Sequence, residues 1–200
     1  MYETFLYNPQ AGVNCERLNH EQMREAIKDP ANILWLDIQD VDDNDIDLLT
    51  GIFNIHPLTV EDFIMVNARP KVENFKDYLF LIMFSLECSV NGKCSSKIKM
   101  NELDFCLGKN FLVTSHNEII PTLALNKERI RKDSPIIKNG TDFLLYALMD
   151  SLVDSYFPVI NAFDESVDQM SDELFKDPTN ETLKKIYTLK NEIIHLRRTV

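Results

Sequence analysis

From Leu145 to Leu174 the residues Leu145, Leu148, Leu152, Tyr156, Val159, Phe163, Val167, Met170 and Leu174 recur at steps of three and four. That spacing sets them along one stripe of a helix, because a turn takes about 3.6 residues. Pro158 falls inside the run, has no donor N–H, and is expected to kink it. A second helix is predicted to restart at Asp177-Pro178, with Asp177 as the cap and Pro178 at the first helical position. Only a few residues separate the two helices, so they are expected to run antiparallel. The second helix carries Leu183, Ile186, Ile193, Leu196 and Val200 with no terminating glycine or proline. It therefore reads as stopping in mid-helix, and a longer protein is expected.

Upstream of Thr141 the pattern alternates. Glu3–Tyr7 and Gly12–Leu18 read as short strands, and 19–28 as a helix capped by Asn19 with Met23, Ala26 and Ile27 on one side. The nearly all-apolar run 33–38 predicts a buried strand, and 42–53 a helix carrying Ile46, Leu48, Leu49, Ile52 and Phe53. Two hairpin strands are predicted over 72–87 and 97–107, separated by a loop holding the turn dipeptide Asn91-Gly92, with a further strand over 111–115. The expected division is an α/β unit over 1–138 and a helical unit over 139–200.

With 21 basic against 32 acidic residues the net charge is -11, which disfavours nucleic acid and suits cation binding. The cysteines Cys15, Cys88, Cys94 and Cys106 form no close pair, so reduced thiols are expected; a zinc site from Cys88, Cys94 and His116 fits no standard spacing. The longest uninterrupted apolar run is Tyr78 to Phe84, short of the roughly 20 residues a membrane-spanning helix needs, so no span is expected. The N-terminus has neither a basic region nor an apolar run, so no secretory leader is expected. No Gly-x-Ser-x-Gly, His-Glu-x-x-His or phosphate-cradling loop occurs and the four histidines are scattered, so no enzyme is expected.

The chemistry instead gathers in carboxylates. Pro57 fits a first helical position, and Glu61 and Asp62 follow within the opening turns. Adjacent helical residues point about 100° apart, so the two cannot easily chelate one ion alone, and a hard cation would need oxygens from another element or another subunit. Asp150 and Asp154, four apart, share one face of the long helix; set among Phe143, Leu144, Leu148, Leu152 and Phe157, they are expected close to a packed surface, in need of a counter-charge if partly buried. The acidic run from Glu165 to Asp172 reads as a solvated face.

Several blocks, in order, resemble the cytoplasmic domain of the CorA family of divalent-cation (magnesium/cobalt) transporters. They are Trp35-Leu36-Asp37-Ile38, the segment 56–63, Arg69-Pro70-Lys71-Val72-Glu73, the strand to Phe84, and 144–157. Leu189-Lys190-Asn191-Glu192 with Leu196-Arg197-Arg198 resembles the start of that family's stalk helix. The resemblance implies an α/β/α sandwich with a mixed sheet, followed by a long antiparallel helical hairpin leading into a truncated stalk. It implies a homopentamer on the cytoplasmic face of the cell membrane, reaching the membrane through C-terminal helices beyond residue 200. It also implies regulatory Mg2+ (or Co2+) between neighbouring subunits, on Asp62 for one site and on Glu61 with Asp150 for another. Asp154 joins this set through its helical spacing from Asp150. High magnesium would hold the ring symmetric and closed, and loss of the ions would let it splay and conduct. A zinc-transporting relative and a stand-alone acidic metal-binding or scaffold module are the alternatives.

Overall fold

The computed structural model describes the chain except residues 67–68, 89–97, 134, 178 and 200 and the side chain of residue 88. Seven strands form one mixed sheet in the order β2-β1-β3-β7-β6-β5-β4. They are β1 (Tyr2–Asn8), β2 (Gly12–Asn14), β3 (Ile33–Gln39), β4 (Lys71–Asn74), β5 (Tyr78–Cys88), β6 (Ile98–Gly108) and β7 (Phe111–His116). β3 and β7 pair in parallel, while the other neighbours are antiparallel. Both central strands are covered on both faces, so Leu34, Trp35, Leu36, Leu112 and Val113 are all fully buried.

Helices cover the two faces separately. α1 (His20–Lys28), α2 (Asp43–Gly51) and α3 (Pro57–Ile64) press Met23, Leu48, Leu49, Val60 and Phe63 onto the face carrying Leu36, Ile38, Phe80 and Ile82. α4 (Pro121–Arg131) and α5 (Thr141–Asp154) press Leu123, Ile130, Leu144, Leu148 and Leu152 onto the face carrying Trp35, Phe105 and Leu112. The result is the expected α/β/α sandwich with a mixed sheet. α6 (Tyr156–Lys176) and α7 (Asn180–Thr199) then leave it as a hairpin. The two run antiparallel, joined by an ion pair between Lys185 and Glu173, 3.0 Å, with Val167, Met170, Leu174, Ile186, Leu189 and Ile193 lining an apolar groove between them.

Local chemistry explains the element ends. Asn19 and Gln22 form a reciprocal capping box on α1, and Asp42 and Asp45 do the same on α2. The predicted kink in the long helix falls at Ser155, three residues before Pro158. Proline removes the bond to the carbonyl four residues back, that of Asp154, and its ring crowds that carbonyl, so the break belongs there. Ser155 caps it by donating its hydroxyl to the Leu152 carbonyl, 2.6 Å.

Two expectations change and one element is new. The strand predicted over 72–87 is two strands, divided by a turn at residues 75–77 where the Phe75 N–H reaches the Tyr78 carbonyl, 2.9 Å. The strand at Gly12 stops at Asn14, whose side chain accepts from the Glu16 N–H, 2.8 Å, and turns the chain. The helix α4 was not anticipated. Residues Thr141–Lys176 are long and apolar enough to cross a membrane by length and composition alone. Their leucines 144, 145, 148 and 152 are nonetheless spent on the sheet core, and the stretch is broken at Ser155. The Asn91-Gly92 turn, Pro178 and Val200 lie outside the described residues.

Candidate functional site

His56 caps α3, its Nδ1 accepting from the Leu58 N–H at 3.2 Å, and Pro57 opens the helix. Thr59, Val60 and Phe63 turn inward, which leaves Glu61 exposed and Asp62 half-buried at the helix edge. Asp62 Oδ2 accepts from Lys71 Nζ on β4 at 2.7 Å, and Lys71 also meets Glu73 at 3.1 Å. That hydrogen bond from Lys71 to Asp62 is the largest influence raising the lysine above its ordinary value, against the opposing effect of burial.

Asp150 and Asp154 lie side by side on the outward face of α5, and both are exposed. They were expected close to a packed surface, and because they are exposed the counter-charge that partial burial would require is not called for. Leu144, Leu148 and Leu152 take the inward positions, a helix can bury one stripe only, and the two aspartates fall opposite it. Among the described residues no ion pair engages Glu61, Asp150 or Asp154.

The sheet itself separates the two pairs. Glu61 and Asp62 ride on the helix packed over one face, Asp150 and Asp154 on the helix packed over the other. Within one copy they cannot share an ion. Each pair is fringed by exposed apolar side chains: Leu58, Ile64 and Met65 around the first, Tyr146, Val153 and Phe157 around the second. Exposed apolar residues gathered about a polar centre are what a contact surface presents. All four side chains offer hard carboxylate oxygens, the donors that magnesium or calcium takes. Among the described residues no three His, Cys, Asp or Glu side chains converge as a ready-made metal site.

Two buried groups were not singled out from the sequence. Asp37 on β3 is 2% exposed and accepts from Lys127 Nζ at 2.5 Å, from His116 Nε2 at 3.1 Å and from the Thr114 hydroxyl. Burial pushes its pKa up, but hydrogen bonding and charge from His116, with the Lys127 charge, overcome this and hold the carboxyl below its usual range. Lys127 in turn meets Glu3, which Arg131 also holds, 2.7 Å, so the cluster ties α4 to β1 and β3. His116 Nδ1 faces the Glu118 carbonyl at 2.8 Å, which commits both ring nitrogens and removes it from the zinc set considered above; Cys94 and the Cys88 side chain lie outside the described residues. The second group is Asp104 on β6, 4% exposed, whose Oδ1 has no hydrogen-bond partner. Burial foremost, then the charge and hydrogen bond of Glu102 and the charge of Asp62, lifts its pKa well above the carboxylate range. Strand alternation could have placed Glu102 and Asp104 on one face, although no local signal marks that face as buried at Asp104.

The family model described as CorA-like Mg2+ transporter protein matches residues 30–200. The cobalt/magnesium transport protein CorA of Thermotoga maritima is 32% identical over 175 residues, covering 86% of this chain and 49% of that protein. The magnesium transporter ALR2 of Saccharomyces cerevisiae is 32% identical over 142 residues, covering 70% of this chain and 16% of that protein. The chain thus spans at most about half the length of these relatives. In fold it is similar to the soluble domain of CorA from Methanocaldococcus jannaschii, with a TM-score of 0.71 at 18% identity over 98% of this chain and 74% of that one. It is equally similar to the ZntB cytoplasmic domain from Vibrio parahaemolyticus, with a TM-score of 0.71 at 11% identity over 98% and 72%. On the match of the family model to residues 30–200, the chain belongs to the CorA-like Mg2+ transporter family.

Proposed function

We propose that this chain is the cytoplasmic regulatory part of a homopentameric magnesium/cobalt transporter, and that it senses divalent cations at the contacts between subunits. The observation that carries this reading is the placement of Glu61 and Asp62 on one face of the sandwich and Asp150 and Asp154 on the other. Copies arranged in a ring bring the α3 edge of one subunit against the α5 face of the next. Facing carboxylates repel, and a divalent cation between them offsets the repulsion with oxygen ligands from both sides. Lys71 already neutralises part of Asp62, so Glu61, Asp150 and Asp154 carry most of the free charge in such a contact. Ion occupancy then stabilises the symmetric ring, and loss of ions favours the splayed, conducting state.

In this reading residues 139–200 form the helical unit that leads toward a stalk, with α5 shared between that unit and the sandwich core of 1–138. The relatives are named as transport proteins, which is in keeping with a non-enzymatic role. The likeness to a ZntB domain leaves a zinc-transporting relative as the second reading. Limited proteolysis of the full-length protein tests both. Magnesium is expected to protect it, and Asp62→Asn and Asp150→Asn each to weaken that protection. Unchanged protection in both variants removes the site assignment, and protection by zinc alone favours the second reading.

A further inference from the structure

A second acidic locus lies inside a single copy, beneath α3. β6 presents Glu102 and Asp104 to the α3-covered face, where Asp104 stands in one cross-strand row with Ile82 of β5 and Lys71 of β4, and Glu102 stands beside Phe84. Two residues apart on a strand, they are separated by about 6.7 Å, two rises of the chain. Two carboxylates at that spacing can close on one ion at the roughly 2.0–2.1 Å oxygen distances of magnesium. Glu102 is half-buried and opens toward solvent, while Asp104 is 4% exposed. Asp104 hydrogen-bonds Glu102 through a proton that the pair holds and that a bound cation would displace into solvent, and its Oδ1 is buried with no partner. A buried carboxyl oxygen without a partner leaves its lost hydration uncompensated, so an occupant is expected there when the protein works.

The surroundings select the occupant. Glu102 and Asp62 both act on Asp104 with negative charge. Lys71 is drawn to Asp62 and Glu73 on the β4 side of the row. A further acceptor or an anion would be repelled here, whereas a small hard cation would be drawn to the carboxylate oxygens.

We propose that Glu102 and Asp104 form a divalent-cation site within one copy of the chain, with the Asp104 Oδ1 and the Glu102 carboxylate as protein ligands and water completing the shell. Magnesium commonly binds through one or two carboxylates with several waters retained, so two protein ligands suffice. This site is distinct from the contact between subunits: Glu61, Asp150 and Asp154 take no part in it, and Asp62 bears on Asp104 through its charge.

Manganese serves as the probe, read by paramagnetic broadening of the Ile82 and Leu103 resonances in the 200-residue chain carrying Glu61→Gln and Asp150→Asn. These two changes remove one assigned carboxylate from each side of the contact between subunits, which keeps the two ideas distinguishable. Saturable broadening at Ile82 and Leu103 is expected to persist in that background. Asp104→Asn is expected to weaken it by at least about tenfold, the cost usual even for an outer-shell partner. Glu102→Gln, at a half-exposed position where misfolding is not expected, should weaken it likewise. Absence of saturable broadening in the background chain overturns the proposal. So does broadening that neither Asp104→Asn nor Glu102→Gln reduces.

Discussion

Replacing Lys127 by methionine tests whether the buried ionic cluster fastens α4 to the sheet. Lys127 Nζ stands 2.5 Å from Asp37 Oδ2 and 2.5 Å from Glu3 Oε2, and the Lys127 side chain is 13% exposed. Methionine keeps the apolar stem and most of the volume but removes the ammonium. Asp37 retains His116 and Thr114, so the loss is one charged hydrogen bond, about 1.5–3 kcal/mol, rather than the roughly 3–5 of a buried ion stripped of its whole partner set. Glu3 is 44% exposed and keeps Arg131, so its share is small. At about 2–4 °C per kcal/mol for a chain of this size, Tm should fall by roughly 3–12 °C. The pH dependence follows from the lowered folded pKa of Asp37. A carboxyl of that kind adds stability that is fully present above its unfolded value and fades as pH falls toward the folded one. The gap between variant and wild type should therefore be widest near neutrality and narrow on acidification. Urea unfolding at neutral pH and below about pH 4, the ordinary aspartate value, reads both features. A neutral-pH loss under about 0.5 kcal/mol, the range of an ordinary surface change, refutes the reasoning, as does a gap that widens in acid.

Two smaller perturbations check the frame around the acidic faces. Asn19→Ala removes the capping box of α1 and should cost about 1 kcal/mol in urea unfolding, while Asn19→Asp should cost much less. Tyr156→Phe leaves the ring in place but strips the Phe84 carbonyl of a 2.6 Å hydrogen bond where α6 meets β5; about 1 kcal/mol should be lost, with faster amide exchange near Ser155.

Much of the architecture was legible from local chemistry. Asn19, Asp42 and Pro57 mark helix starts that the structure keeps, and the apolar run at Ile33 is the buried strand β3. The turn at residues 75–77 was not legible because it contains neither glycine nor proline; it is held by Phe75 stacking on Tyr78, with ring centroids 4.6 Å apart. Helix α4 was missed because its apolar face is thin. Leu123 and Ile130 are joined inside by Asn126, a polar residue satisfied by the Thr122 carbonyl and Ser151. At the candidate site the residue identities were readable but their exposure was not. Asp150 and Asp154 sit among hydrophobic neighbours in sequence, and only the rotation of α5 against the sheet settles which residues face out. The cluster joins Asp37 to His116, 79 positions away, which no local pattern could reveal.

The separation of the two acidic pairs by the sheet gives the account its most direct test. Two variants of the chain are made, Glu61→Gln with Asp62→Asn, and Asp150→Asn with Asp154→Asn, and their sedimentation is followed with and without magnesium. The account predicts that wild type associates in magnesium, that neither variant does so alone, and that an equimolar mixture regains a paired species, because one contact then has both intact faces. Magnesium-dependent association of either variant alone to the wild-type extent, or a mixture that stays unassociated while wild type assembles, would contradict it.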